Sequence, residues 1–193
     1  MELDRRSAER ESLSGFATAG PVGQLSEWRG TIMSMFENDQ YRWRETYFVM
    51  FDSAKRPTLK KVQRALSRVD RHYMLTNLGA DDGGRFDSLT VMAPDDFAAL
   101  DICYLGGQEV ADQGAEWAKE MTEAGCRPEE RQRVKQLGKH DARFDILHFE
   151  QLTDLDDGGL DEMLDPGALL MVMEVLVELT DGIALDPQAG TLL

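Results

Sequence analysis

The sequence predicts an α+β fold, a two-layer sandwich with helices over one face of a mostly antiparallel sheet. Three observations predict it. Strand-like runs and helix-like stripes follow one another in the order β-α-β-β-(β)-α, then α-β-α-β, so hairpins are mixed with helical crossovers. The run Tyr47-Phe48-Val49-Met50-Phe51 is apolar throughout and rich in aromatic and β-branched residues, the mark of a central strand covered on both faces. Apolar residues make up 42% of the 193, which is enough for a real core in one domain.

The elements follow in order. After the strand at 47–51, Thr58 is placed to cap a helix reaching Asp70. Its apolar stripe is Leu59, Val62, Leu66 and Val69, and its other side carries Lys60, Lys61, Arg64 and Arg68. His72 to Leu78 reads as a second strand. Asp81-Asp82-Gly83-Gly84 is a hairpin turn, because glycine accepts the positive φ such a turn needs. Phe86 to Ala93 is a third strand, ended by Pro94. Leu100 to Leu105 is a fourth, stopped by Gly106-Gly107. Glu109 to Ala124 is a helix with Val110, Gly114, Trp117, Met121 and Ala124 on one face and Gly125 just beyond its end. Pro128 opens a charged helix to about Leu137. Phe144 to Phe149 reads as a strand. Asp165 and Pro166 start a last helix over Gly167–Leu179, apolar nearly all round, with Gly182 as its stop. Ile183 to Leu185 is a short closing strand, and 186–190 is a turn.

The first part of this order, about residues 45–125, resembles the ferredoxin-like β-α-β-β-α-β pattern. The resemblance is topological and implies no activity, because that pattern hosts many functions. Residues 1–25 read as an unpacked tail of charges, Ser and Gly. Residues 26–43 are too apolar for a tail and read as a packed arm or short helix. Residues 44–193 form the single α+β domain. The opening Met1-Glu2-Leu3-Asp4-Arg5-Arg6 does not read as a secretory leader, and no apolar run approaches the roughly 20 residues of a membrane span. Cys103 and Cys126 make no disulfide framework, and neither pairs with His72, His140 or His148 at zinc-ligand spacing. A cytoplasmic location with free thiols is the expectation.

Charge is unevenly placed. The net charge is −15, and residues 144–193 carry twelve acids and no base. That field repels phosphate backbones and anionic lipid heads, so neither nucleic acid nor a membrane surface is expected as a partner. Against this background, Lys55 to Arg71 holds seven bases and one acid. Lys60, Arg64 and Arg68 repeat at helical spacing. They suit an anionic ligand, an acidic partner, a solvated polar face, or an electrostatic match to the acidic C-terminal segment of the same fold. Lys55, Lys60, Arg64 and His72 are the candidate ligand-binding residues.

A second candidate is the acidic stretch 154–165. On a calcium-loop template, Asp154, Asp156 and Asp165 fall at positions 1, 3 and 12, with Gly159 at 6. Position 5 is Gly158, without a side-chain oxygen, and position 12 lacks the usual Glu. Glu174 and Glu178 sit one turn apart on the last helix, where a buried helix would meet water. His148 alternates onto the same strand face as Phe144, Ile146 and Glu150. No dinucleotide, phosphate-loop or nucleophile-elbow motif is present, and no cofactor is expected. The reading is a non-catalytic interaction or regulatory module, with a homodimer or an unknown protein as partner. The alternative is a small-molecule or metal site, binding or enzymatic, between sheet and helices.

Overall fold

A computed structural model describes residues 35–152 and 166–193. The elements are β1 (Tyr41–Phe51), α1 (Leu59–Val69), β2 (Met74–Ala80), β3 (Phe86–Ala93), β4 (Ala98–Gly106), α2 (Gln108–Glu123), α3 (Arg131–Leu137), β5 (Ala142–Gln151), α4 (Gly167–Thr180), β6 (Ile183–Asp186) and β7 (Thr191–Leu192). One seven-stranded sheet runs in the order β2-β3-β4-β5-β1-β6-β7, and each neighbouring pair is antiparallel.

Local chemistry explains most boundaries. The Thr58 side chain accepts from the N–H of Lys61 and starts α1. The Asp81 carboxylate accepts from the N–H groups of Gly83 and Arg85, at 3.0 and 2.9 Å, while Gly84 takes φ 72°, so β2 turns into β3. β2 begins two residues later than expected, because Asp70 first closes a turn by accepting from His72 N–H at 2.8 Å. α3 likewise starts at Arg131, since an Arg127–Glu130 turn and ion pair of 2.7 Å occupy the residues after Pro128. β1 begins at Tyr41, so Tyr41–Trp43 is strand and not the end of an arm or helix. Residues 1–34 lie outside the described residues.

Long-range pairing corrects the expected architecture in two ways. The order is not that of a simple ferredoxin-like unit, because β1 takes its neighbours from β5 and β6 late in the chain. β1 pairs with β5 from Tyr41↔Gln151 to Phe51↔Ala142, with one irregularity between Trp43 and Glu45. The two layers become three. Val49 and Phe51 pack with Val62 and Leu66 of α1 and with Leu169, Val172 and Leu176 of α4. Met50, between them on the strand, points to the other face and packs with Val110, Met121, Val134 and Leu137 of α2 and α3. A strand apolar at every position needs cover on both faces, and the helices divide accordingly.

The core under α1 and α4 is built on aromatics. Phe51 and Phe144 have ring centroids 4.6 Å apart, and Phe86 meets Phe144 edge-on at 5.1 Å. Each such ring, fully buried, contributes about 1.5–3 kcal/mol. A smaller cluster of Met35, Ala99 and Phe149 sits on the opposite face.

The end of α4 differs from expectation. Asp181, not Gly182, takes the left-handed conformation, with φ 50° and ψ 44°. Gly182 serves another purpose. A Cβ there would lie 2.8 Å from the Met50 carbonyl oxygen, so glycine lets the chain pass close against β1 before β6.

Candidate interaction surface

The four residues expected to bind a ligand are strung along α1 and do not converge. Lys55 lies on the loop before α1, with Nζ 2.7 Å from Asp181 Oδ2. Lys60 and Arg64 are exposed on α1. His72 lies beyond the far end of the helix, which is about 16 Å long at 1.5 Å per residue. Asp154, Asp156 and Asp165 fall outside the described residues.

The Lys55 end is a network of polar contacts, partly open to solvent. Asp141 accepts from the N–H of Ser53 at 2.7 Å and from its hydroxyl at 2.8 Å, which holds the carboxyl below its ordinary pKa. His140 is pushed below its ordinary pKa by burial, with nearby Lys55 adding to the effect. Arg56 stacks over Tyr104, 3.7 Å from the ring centroid, and donates to the Phe86 carbonyl at 2.7 Å. These contacts tie the loop after β1 to the starts of β3 and β5 and the end of α4.

At the other end of α1, His72 Nδ1 is 2.6 Å from Asp95 Oδ2 and 3.8 Å from Asp70 Oδ1. The hydrogen bond to Asp95, then its charge, raises the imidazole pKa. One donor atom from each of Asp70, His72 and Asp95 lies within 4.8 Å of the others. Only the spacing Asp70-x-His72 could have hinted at this group. Asp95 arrives from the turn after β3, which no local pattern announces.

A third polar group lies on the sheet face beneath the outer helices. Alternation along β5 places His148 and Glu150 there with Phe144 and Ile146, as the sequence suggests. Glu150 is buried and meets Arg42 at 3.0 Å and Arg44 at 3.2 Å. His148 Nδ1 is 3.4 Å from Glu45 Oε1, and burial holds its pKa below the ordinary value. Burial, with Glu45 close by, pushes the Tyr47 phenol up to about 12. On the opposite face, Asn77 donates to Thr90 Oγ1 at 3.0 Å, and Thr90 donates to Asp101 at 2.5 Å. Burial also raises the Cys103 thiol to about 12. Cys126 lines a shallow cavity of about 220 Å³ with Met121, Arg127 and Leu192.

The outer surface of α1 and α4 is organised differently. The helices lie side by side on one sheet face and touch. Strand directions alternate across the sheet, so α1 returns against the direction of β1 and α4 returns against that of β5. The helices are therefore antiparallel, and the Lys55–Asp181 contact joins the start of α1 to the end of α4. α1 exposes Lys60, Lys61, Arg64 and Arg68, while α4 exposes Glu174 and Glu178. Leu170 and Met171 are 51% and 46% exposed on α4. Leu170, Glu174 and Glu178 share one stripe at i, i+4. The surface thus has a basic half and an acidic half, with two large apolar side chains in water.

No family model, curated protein or solved structure matches this chain.

Proposed function

We propose that the chain is a non-catalytic interaction module that binds protein through the outer surface of α1 and α4. The observation that carries this is the exposure of Leu170 and Met171 beside segregated rows of charge. Apolar groups rimmed by polar ones mark association surfaces, and opposed charge fixes partner and register. The polar groups elsewhere hold the fold together: Asp141 holds Ser53, Asp181 holds Lys55, and Glu150 holds two arginines. The test is capture of protein by the immobilised full chain from its source cells. Capture is compared with Lys60→Glu/Arg64→Glu and with Glu116→Lys on α2. The reading expects the first variant to lose what the wild type retains and the second to keep it. Equal capture by all three overturns it.

One observation favours a second reading, divalent-cation binding. Asp70, His72 and Asp95 offer two carboxylates and an imidazole, a set suited to manganese or zinc. Binding would displace the proton between His72 and Asp95, so affinity would rise with pH. Titration calorimetry with Mn²⁺ and Zn²⁺ tests this. Heat that persists unchanged in His72→Ala counts against it.

A further inference from the structure

We infer that the occupant of the α1/α4 surface is a second copy of this chain, related by a two-fold axis parallel to the two helices. The inference rests on the interaction reading above and adds the partner and the geometry. With the helices of the two copies kept in line, two two-fold axes can bring this surface face to face with itself. One lies in the interface across the helices and sets α1 on α1 and α4 on α4. That arrangement opposes Lys60, Arg64 and Arg68 with themselves, and Glu174 and Glu178 with themselves. Like-charge contacts across an interface are strongly unfavourable. The other axis lies parallel to the helices and sets α1 of each copy on α4 of the other. Every basic row then meets an acidic row, twice, as a self-complementary interface requires.

The register matches as well. Lys55 touches Asp181, so the start of α1 is level with the end of α4 within one copy. An axis parallel to the helices preserves that level. Lys60 of one copy then lies opposite Glu178 of the other, and Arg64 lies opposite Glu174. Both pairs repeat at four residues, about 6 Å along a helix, so the rows stay in step. Arg68 comes level with Leu170 and Met171, whose apolar surface its long stem can cover. The acidic face of α4 is thereby matched by the basic α1 of a neighbour in a chain of net charge −15.

The footprint is small. Two helices of 11 and 14 residues, with axes about 10 Å apart, cover roughly 400 Å² per copy. Stable interfaces bury about 800 Å² per partner, so a weak, salt-sensitive dimer is expected.

Sedimentation of the full chain tests this at about 10–200 µM, in low and in high salt. The wild type should dimerise in low salt and dissociate in high salt. Lys60→Glu/Arg64→Glu should weaken association by roughly tenfold or more, and so should Glu174→Lys/Glu178→Lys. An equimolar mixture of the two variants should associate again, because each acidic α1 now meets a basic α4 and each basic α1 meets an acidic α4. Recovery in the mixture also shows that both variants fold. A wild type that stays monomeric throughout overturns the inference, even if the surface still captures another protein. Loss in both variants without recovery in the mixture overturns the axis. Failure of the interaction reading itself is registered separately, by unchanged capture.

Discussion

Replacing Gly182 with alanine adds one methyl group where the turn after α4 passes close against the backbone of β1. The new Cβ would stand 2.8 Å from the Met50 carbonyl oxygen, 2.7 Å from Thr180 Oγ1 and 3.0 Å from Val49 Cγ1. Met50 O is backbone of an internal strand and has nowhere to go. Thr180 Oγ1 is buried and already donates to the Leu176 carbonyl at 2.7 Å, so it is not free to swing aside. Overpacking of this kind costs about 1–3 kcal/mol. Alanine also stiffens the unfolded chain relative to glycine, which offsets about 0.4–1 kcal/mol. The net loss is about 1–2 kcal/mol. For a chain of this length each kcal/mol moves Tm by about 2–4 °C, so a fall of roughly 2–8 °C is expected. Urea unfolding followed by tryptophan fluorescence should show a lower midpoint at an unchanged slope. Gly190→Ala is the control. There φ is +64° and no atom lies within 4 Å of the added methyl, so only backbone strain acts. If Gly182→Ala proves as stable as the wild type, or more so, the close passage of the α4–β6 turn against β1 is refuted.

Other expectations follow from the polar groups. Burial lowers the pKa of His148 in the fold, so its contribution is full above the unfolded value near 6.5 and is lost as pH falls below it. His140 acts in the same direction and exposed His72 in the opposite one. Unfolding midpoints measured from pH 7.5 to 5 should therefore fall less steeply in His148→Gln, and an unchanged slope would exclude the assignment. Thr90→Val removes the hydroxyl between Asn77 and Asp101 and leaves a half-buried carboxylate short of a donor. A loss of about 1–3 kcal/mol in urea unfolding is expected, and a neutral result would contradict that role. Thiol labelling at pH 8 should be dominated by Cys126 at its open cavity, since burial raises Cys103 to about 12. Cys126→Ser should remove the fast phase. In high salt, where the chain is monomeric, Lys60→Gln/Arg64→Gln should shift stability by less than about 0.5 kcal/mol in urea unfolding, because both are exposed in the single chain.

What could be read from the sequence was what neighbouring residues decide. Thr58 marks the start of α1, the Asp81–Gly84 turn separates β2 from β3, and β3 runs over the expected Phe86–Ala93. Two-residue alternation put His148 and Glu150 on the face where they lie. Contacts that close over long stretches of chain were illegible. Nothing near Tyr47–Phe51 says that its partners are β5 and β6, and the continuous apolar run hides how the helices divide between faces. Competition between adjacent residues also misled. Glycine is the better left-handed residue, yet Asp181 takes that conformation because Gly182 is needed for clearance. Of the candidate residues, Lys60 and Arg64 lie together on one surface, while Lys55 and His72 fall beyond the two ends of α1, where they pair with Asp181 and Asp95.

The late arrival of both partners of β1 has a consequence during synthesis. Phe51 awaits Ala142, and Met50 awaits Ile183, while β2, β3 and β4 can already join as a meander. At about 5–20 residues per second, a nascent chain carries an unzipped, aromatic-rich segment for roughly five to twenty seconds. Such a segment is a template for pairing with other chains. Production of this protein should therefore depend on holdase chaperones, and truncation before β5 should yield insoluble material.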